Sequence, residues 1–261
     1  MEKIIVIKCG GSMIDDLSDK FFMDIKQMQE NGFKPIIVHG GGPAINRLLE
    51  NLQIQSEFIN GLRKTTPEVM EVVEMVLSGS ITNKLVRSMH TYGISAIGMT
   101  GSDSGLIQAE AKDFENLGLV GEVTTINREL LLKLLSMNLI PVISPIAISE
   151  NSNEYYNVNA DSAAAAIAVA MSAEKILFVT DVPGILKDQQ VIETVSQNEV
   201  HSLIEEGVIT GGMIPKVLAA LKSLEGGMNR VMIVSGKSPL YKKGQFIGTT
   251  ILKEQKVVSF G

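Results

Sequence analysis

The sequence IIVIKCGGS, residues 4–12, joins a run of apolar residues to a lysine and a pair of glycines. Four adjacent β-branched residues are typical of a strand buried on both faces, as in a parallel sheet. Lys8 lies at the end of this strand, where a charge is costly unless it has a partner or a ligand. A lysine that reaches solvent is the alternative, and the residues alone leave it open.

The same pattern recurs in PIIVHGGGP, residues 35–43, where Pro43 suits the first turn of a helix. Glycine lets main-chain N–H groups approach a phosphate closely, and the N-terminus of a helix attracts anions. One such loop is often only a tight turn. Two loops in the same context predict phosphate binding.

Further strands and helices alternate along the chain. Strands are expected at residues 94–99, 140–146, 176–179 and 231–234, a hairpin or loop at 54–66, and hairpin material up to residue 123. Helices are expected at 21–29, 67–76, 130–137, 163–171, 198–206 and 213–225. This order predicts an α/β fold with a mainly parallel sheet, and ligands bind at the carboxyl ends of such strands. A boundary near residue 174 is expected to separate an N-terminal lobe, 1–174, from a C-terminal lobe, 175–261.

Composition narrows the class of protein. The 261 residues are 45% hydrophobic and carry a net charge of −6, which argues against nucleic-acid or acidic-membrane partners. A single cysteine fits a reducing compartment. No signal peptide is visible, and the longest apolar run, 163–171, is shorter than the ~20 residues that span a bilayer. We expect a soluble cytoplasmic protein.

A second informative stretch is YNVNAD, residues 156–161, which leads into an Ala-rich helix. Asn and Asp there suit the cap of that helix. Asp161 is expected to position cations, and Lys8 and Lys216 are the candidates. Lys216 falls in the first turn of a helix, where a cation opposes the helix dipole, so we expect an anion to compensate it.

Standard nucleotide and hydrolase signatures fail. Gly236-Lys237-Ser238 resembles the end of a Walker A loop, but Val231 stands where the first glycine is required, and no intact G-x-G-x-x-G occurs. The HGGG loop would suit an esterase only with a G-x-S-x-G elbow, which is missing. The three histidines are far apart in sequence and predict no metal site.

Six motifs together resemble the amino acid kinase family, in family order and over essentially the whole chain. They lie at residues 8–12, 39–43, 61–63, 157–161, 180–184 and 211–216. The resemblance implies an open three-layer αβα sandwich. It also implies transfer of a phosphoryl group from MgATP to the γ-carboxylate of N-acetyl-L-glutamate, a step of arginine biosynthesis that yields an acyl phosphate.

The resemblance also implies roles for individual residues. Lys8 and Lys216 would offset charge on the transferring group, and Asp161 would hold both lysines. The remaining assignments are Gly10, Gly11, Thr180, Asp181, Gly184 and Met213 to the nucleotide and its phosphates, and Gly41, Gly42, Arg63, Asn157 and Asn159 to the acid substrate. Mg²⁺ would arrive with ATP, with no metal ligand among the protein side chains.

Two departures within the family bear on specificity and regulation. After Arg63 we expect a hydrophobe, Thr and Asp, whereas the chain has Lys64-Thr65-Thr66, which leaves fine specificity open. Arginine-inhibited members carry an extra N-terminal helix that links dimers into hexamers. Because the first strand starts at Ile4, we expect a homodimer without arginine inhibition.

Two alternatives stay open. A kinase of the same fold would act on N-acetyl-aminoadipate, in lysine biosynthesis, or on an unacylated amino acid; the Gly61-Leu62-Arg63 motif favours acetylglutamate. A non-catalytic nucleotide or amino-acid sensor could dispense with Lys8, Asp161 and Lys216, all of which this chain keeps.

Overall fold

The computed structural model of the chain describes residues 3–254. Strands and helices alternate through the first half as β1 (Lys3–Cys9), α1 (Asp19–Glu30), β2 (Phe33–His39), α2 (Gly42–Asn51), β3 (Phe58–Ile59), β4 (Leu62–Arg63), α3 (Pro67–Glu74), α4 (Thr82–Thr91), β5 (Ala96–Thr100), β6 (Ile107–Ala111), α5 (Phe114–Leu117), β7 (Val120–Ile126) and α6 (Arg128–Ser136).

The second half continues the alternation and ends in short strands. Its elements are β8 (Ile140–Ser144), β9 (Ile146–Ile148), β10 (Tyr155–Val158), α7 (Ala160–Ala170), β11 (Lys175–Thr180), β12 (Leu186–Lys187), β13 (Gln190–Val191), β14 (Thr194–Ser196), α8 (Gln197–Glu205), α9 (Met213–Glu225), β15 (Arg230–Ser235), β16 (Tyr241–Lys242), β17 (Gln245–Phe246) and β18 (Thr249–Leu252). Among residues 3–254, no helix is long and apolar enough to cross a membrane.

An eight-stranded sheet forms the centre, in the order β14-β18-β15-β11-β1-β2-β8-β5. Strand β1 lies between β11 and β2 and runs parallel to both, and residues 4–7 are buried, as the apolar run predicts. Within the described residues, β15 and β18 are the one antiparallel pair of this sheet. The α/β fold with a mainly parallel central sheet is confirmed.

Parallel order brings four loops to one edge of the sheet. Strands β15, β11, β1 and β2 lie next to one another in this order, and each pair of neighbours is parallel. They end at Cys9, His39, Thr180 and Ser235. Both glycine loops therefore follow strands that end side by side, where Gly40 N donates a hydrogen bond to Cys9 O at 3.0 Å.

The helix predicted to end at residue 76 is longer than expected. After α3 the chain passes through a π-helix (Met75–Ile81) directly into α4, so helical structure continues to Thr91. Residues 78–80 are Ser, Gly and Ser, which have low helix propensity. They also interrupt the pattern of apolar residues that would indicate a helix. The buried residues Leu77, Ile81 and Leu85 nevertheless pack this segment into the core.

Two other predictions need correction. The strand expected at 140–146 is interrupted at Pro145 and forms β8 and β9, because proline has no N–H for a ladder. The hairpin β6–β7 closes with β9 and β10 into a small four-stranded barrel. The chain also continues past β15 to β18, which adds an antiparallel strand to the sheet. Residues 255–261 of the predicted C-terminal lobe lie outside the described residues.

Candidate active site

A cavity of about 410 Å³ opens at the carboxyl edge of the sheet, between the two glycine loops, hairpin β3–β4 and the starts of α7 and α9. Residues distant in sequence converge on it. The predicted residues among its lining are Lys8, Gly10, Gly11, Gly41, Gly42, Arg63, Asn157, Asn159, Asp161, Thr180 and Lys216. Three predicted residues do not line this cavity: Asp181, Gly184 and Met213.

The two glycine loops contact each other through their backbones. A Cβ on Gly11 would lie 2.7 Å from Gly41 N and 2.8 Å from Gly42 N. Only a residue without a side chain permits this approach. The main chain of both loops therefore forms one surface beside the N-terminus of α2, which suits an anion.

We expect Gly11→Ala to lower the free energy of unfolding by ~1–3 kcal/mol, the usual cost of overpacking. The new methyl group would meet backbone atoms, which cannot rotate away as a flexible side chain would. Thermal or denaturant unfolding measures the change. Gly79→Ala is the matched control, since a Cβ at Gly79 meets nothing within 4 Å. Equal stability of Gly11→Ala and wild type would contradict the close contact of the loops.

Lys8 contacts Asp161 as the sequence predicts. Lys8 Nζ lies 2.8 Å from Asp161 Oδ1, and the two side chains are 15% and 29% exposed. Asp161 falls in the first turn of α7, where Asn159 is the N-cap: its Oδ1 accepts from Asp161 N at 2.9 Å and from Ser162 N at 3.1 Å. The predicted cap is confirmed, and it holds the carboxylate toward the end of β1.

The prediction that Asp161 also holds Lys216 is wrong. Lys216 Nζ instead donates to Asp181 Oδ1 at 2.5 Å. Lys216 lies in the first turn of α9 and Asp181 directly follows β11. The hydrogen bond from Lys216 is the main cause that lowers the pKa of Asp181 below its ordinary value. Each of the two lysines thus has its own carboxylate, while both line one cavity.

Arg63 is a buried cation at the cavity wall. Its guanidinium donates to Ser56 Oγ, to Asn46 Oδ1 at 2.6 Å and to Gly42 O at 3.4 Å, and lies 4.6 Å from the ring centre of Phe58. Burial lowers the pKa of Arg63. Within residues 3–254, no carboxylate forms an ion pair with it. Because a buried charge requires a counter-charge, this wall suits an anionic ligand.

The three residues after Arg63 have different places in the structure. Thr65 is buried, and its Oγ1 donates to Arg63 O at 2.9 Å and accepts from Asn157 Nδ2 at 3.1 Å. Lys64 lies outward, 3.5 Å from Glu57. Thr66 caps α3 by accepting from Val69 N at 3.3 Å. Thr and Asp both suit an N-cap, so the substitution at residue 66 preserves the local structure.

The predicted nucleotide residues divide into two groups. Gly10, Gly11 and Thr180 line the cavity. Gly184 has φ +157°, and a Cβ there would lie 2.5 Å from Thr249 Oγ1. Glycine is thus required at 184 for packing against β18, a structural demand that the sequence did not reveal. Met213 is the first residue of α9, the helix that carries Lys216.

Several apolar residues of the cavity wall were missed from sequence: Phe58, Leu62, Leu77, Val120 and Pro145. Phe58 and Leu62 flank a turn with Asn60 and Gly61 at positive φ, within the segment 54–66 for which the sequence predicts a hairpin or loop. Leu77 belongs to the π-helix and Val120 to the barrel. Their place at the site depends on tertiary packing, which no local pattern encodes.

Neither a cysteine nucleophile nor a metal site is found among the described residues. Burial raises the pKa of the Cys9 thiol to about 12, so Cys9 is a core residue and not a nucleophile. Within residues 3–254, no group of three or more His, Cys, Asp or Glu side chains is arranged to hold a metal ion.

Comparison with known proteins defines the class. The model of the amino acid kinase family matches residues 3–235, and the chain belongs to this family. It is 52% identical over 254 residues to the acetylglutamate kinase of Geobacillus thermodenitrificans (strain NG80-2), covering 97% of this chain and 98% of the relative. It is 49% identical over 255 residues to the acetylglutamate kinase of Halalkalibacterium halodurans, with the same coverage.

Solved structures agree on the fold. The crystal structure of smu.665 from Streptococcus mutans UA159 superposes with a TM-score of 0.82 at 34% identity, covering 97% of this chain and 99% of that one. Carbamate kinase from Giardia lamblia, bound to AMP-PNP, superposes with a TM-score of 0.67 at 18% identity and the same coverage. The second likeness, at such low identity, shows the fold alone.

Proposed function

We propose that this chain transfers the γ-phosphoryl group of ATP to the γ-carboxylate of N-acetyl-L-glutamate, giving N-acetyl-L-glutamyl 5-phosphate and ADP in arginine biosynthesis. The observation that carries the proposal is one cavity that gathers Lys8, Lys216 and the buried Arg63 around two glycine loops. Relatives named acetylglutamate kinase, at up to 52% identity over nearly the whole chain, support the choice of substrate.

In this reaction a carboxylate oxygen attacks the γ-phosphorus, the bond from phosphorus to the ADP oxygen breaks, and ADP leaves with the electron pair. The carboxylate is already ionised at neutral pH, so no general base is needed. Phosphoryl transfer depends mainly on positioning and on offsetting charge. Lys8 and Lys216 supply positive charge, and glycine N–H groups add fixed donors. Asp161 acts as the group that positions Lys8.

On the acid side, Arg63 pairs with a carboxylate of the substrate by its planar guanidinium. Asn157 lines the same cavity and faces the acid substrate. One N–H of its Nδ2 donates to Thr65, so the second N–H and Oδ1 are left for the ligand. Asn159 likewise uses Oδ1 for its cap and has Nδ2 left as a donor.

On the nucleotide side, Gly10, Gly11, Thr180 and Lys216 contact the phosphates, with Asp181 holding Lys216. Met213 and the 180–184 turn lie on the C-terminal side of the predicted boundary near residue 174, and we assign nucleotide binding to that lobe. Mg²⁺ bound to ATP would neutralise part of the charge on the β- and γ-phosphate oxygens.

Hydroxylamine trapping tests the proposal, since it converts an acyl phosphate to a stable hydroxamate. The chain is incubated with MgATP and, in separate reactions, N-acetyl-L-glutamate, N-acetyl-aminoadipate, glutamate or aspartate. We expect hydroxamate from N-acetyl-L-glutamate alone. Hydroxamate from another acid would reassign the substrate. No hydroxamate from any of the four, with ATP still bound, would favour a sensor.

Assembly, regulation and location are further parts of the proposal. We infer a homodimer that arginine does not inhibit, as expected in the sequence analysis, and the single buried cysteine is compatible with a cytoplasmic protein. A hexamer on gel filtration, or inhibition by arginine in the hydroxamate assay, would refute the first two.

A further inference from the structure

His39 is a buried polar residue that the proposed chemistry does not use. It is 0% exposed and ends β2, directly before the second glycine loop. Its Nδ1 lies 3.1 Å from Gly40 O, and its Nε2 lies 2.8 Å from Thr82 Oγ1. The imidazole therefore connects the glycine loop to the first residue of α4.

The hydrogen bonds fix the tautomer of this ring. Burial lowers the pKa of His39 to about 4, so the ring is neutral at pH 7 and carries one proton. Gly40 O only accepts, so Nδ1–H donates to it and Nε2 accepts from the Thr82 hydroxyl. The opposite tautomer would place two lone pairs 3.1 Å apart. Leu77 O also accepts from the Thr82 hydroxyl, at 2.8 Å from Oγ1, so the single hydroxyl proton is shared between this carbonyl and Nε2.

The π-helix fits against the same loop. A Cβ on Gly41 would lie 2.5 Å from both Leu77 Cδ2 and Ile81 Cδ1. The wider π-turn places Leu77, Ile81 and Thr82 on one side of the helix, and such turns are frequent at functional sites. Gly41 is thus packed against apolar side chains, while Gly40 is held by a hydrogen bond from His39.

We propose that His39 and Thr82 are positioning residues: their hydrogen bonds hold the Gly40–Gly42 loop in the orientation that its N–H groups need for the transferring phosphoryl group. This inference rests on the proposed function. Neither residue touches substrate. Thr82 orients the imidazole by its hydrogen bond to Nε2, and the imidazole orients the loop by its hydrogen bond to Gly40 O.

Two substitutions at residue 82 separate hydrogen bonding from packing. Thr82→Val keeps the shape and removes the hydroxyl. Thr82→Ser keeps the hydroxyl and removes the methyl group, which packs so closely on β5 that a Cβ on Gly98 would lie 2.4 Å from it. We expect Thr82→Val to lower kcat by ~10-fold or more, since misplacement by 1 Å costs up to 10²-fold. KM values should stay close to those of wild type, and Thr82→Ser should keep kcat near wild type.

Wild type is assayed first in the hydroxamate reaction, and its inactivity would refute the proposed function without testing this inference. With an active wild type, a Thr82→Val enzyme of near-normal kcat would overturn the inference. So would a Thr82→Ser enzyme that loses as much as Thr82→Val, because packing would then be the cause. If Thr82→Val does not fold, Thr82→Ala against Thr82→Ser makes the same comparison without the methyl group, with the same two outcomes.

Discussion

Replacement of Lys8 by Met is expected to lower kcat by at least ~10²-fold, the cost of removing one donor that acts in the transition state. Methionine keeps most of the length of the side chain and removes its charge. Lys8 Nζ reaches the cavity from the end of a buried strand and is held by Asp161 at 2.8 Å. Steady-state hydroxamate formation at saturating MgATP and N-acetyl-L-glutamate measures the change.

Lys112→Met is the matched control. Lys112 directly follows β6 of the barrel, does not line the cavity, and forms an exposed pair with Glu122 at 3.4 Å. We expect normal turnover from this variant. Near-normal turnover of Lys8→Met would refute the role of Lys8. Lys216→Met should resemble Lys8→Met, and because Asp181 holds Lys216, Asp181→Asn should lower kcat in the same direction by a smaller factor.

The second large effect is expected at Arg63. We expect Arg63→Met to raise KM for N-acetyl-L-glutamate by on the order of 10²-fold, since a hydrogen bond to a charged group contributes ~1.5–3 kcal/mol. KM for ATP should change little, because Arg63 lies with Ser56 and Asn46 on the side of the cavity formed by the β3–β4 hairpin. Arg63→Lys keeps the charge but loses the planar pair of donors. Its KM for N-acetyl-L-glutamate should lie between those of wild type and Arg63→Met.

Initial-rate kinetics with each substrate varied in turn separate the two KM values. Arg128→Met is the control, as Arg128 is exposed at the start of α6. An equal rise in both KM values, together with a lower melting temperature, would show that Arg63 serves the hairpin and not the acid. That result would contradict the assignment.

Stability alone does not explain the ion pairs of the cavity. Lys8 and Asp161 are partly exposed, and the side chains of Lys216 and Asp181 are 34% and 55% exposed. Pairs of this kind contribute little to folding, with a median of ~0–1 kcal/mol. Two cations at one cavity, with a third at Arg63, instead suit the binding of anionic ligands.

Much of the site could be predicted from sequence because its signals are local. A buried strand, a glycine loop and a helix start are encoded within about ten residues, and the N-cap at Asn159 that sets Asp161 is equally local. The predicted partner of Lys216, Asp161, differs from the observed partner, Asp181, because this contact is not local. Asp181 lies beside Lys216 because β11 stands between β1 and β15, and strand order is a property of the whole chain.

The π-helix and the barrel show the same limit. Residues 78–80 are poor helix formers. Burial of Leu77 and Ile81 against the Gly41 loop outweighs the low helix propensity of residues 78–80. Strands β6, β7, β9 and β10 close a barrel through pairings between distant segments. Neither feature has a sequence signature, and both contribute residues to the cavity wall, Leu77 and Val120.

The most direct test follows the transferred group itself. The enzyme is incubated with MgATP and N-acetyl-L-glutamate labelled with ¹⁸O in the γ-carboxylate, and ³¹P NMR records the product. We expect an acyl phosphate resonance with the isotope shift of a bridging ¹⁸O bound to phosphorus, formed in step with ADP. An acyl phosphate that lacks the shift would contradict attack by the γ-carboxylate on the γ-phosphoryl group.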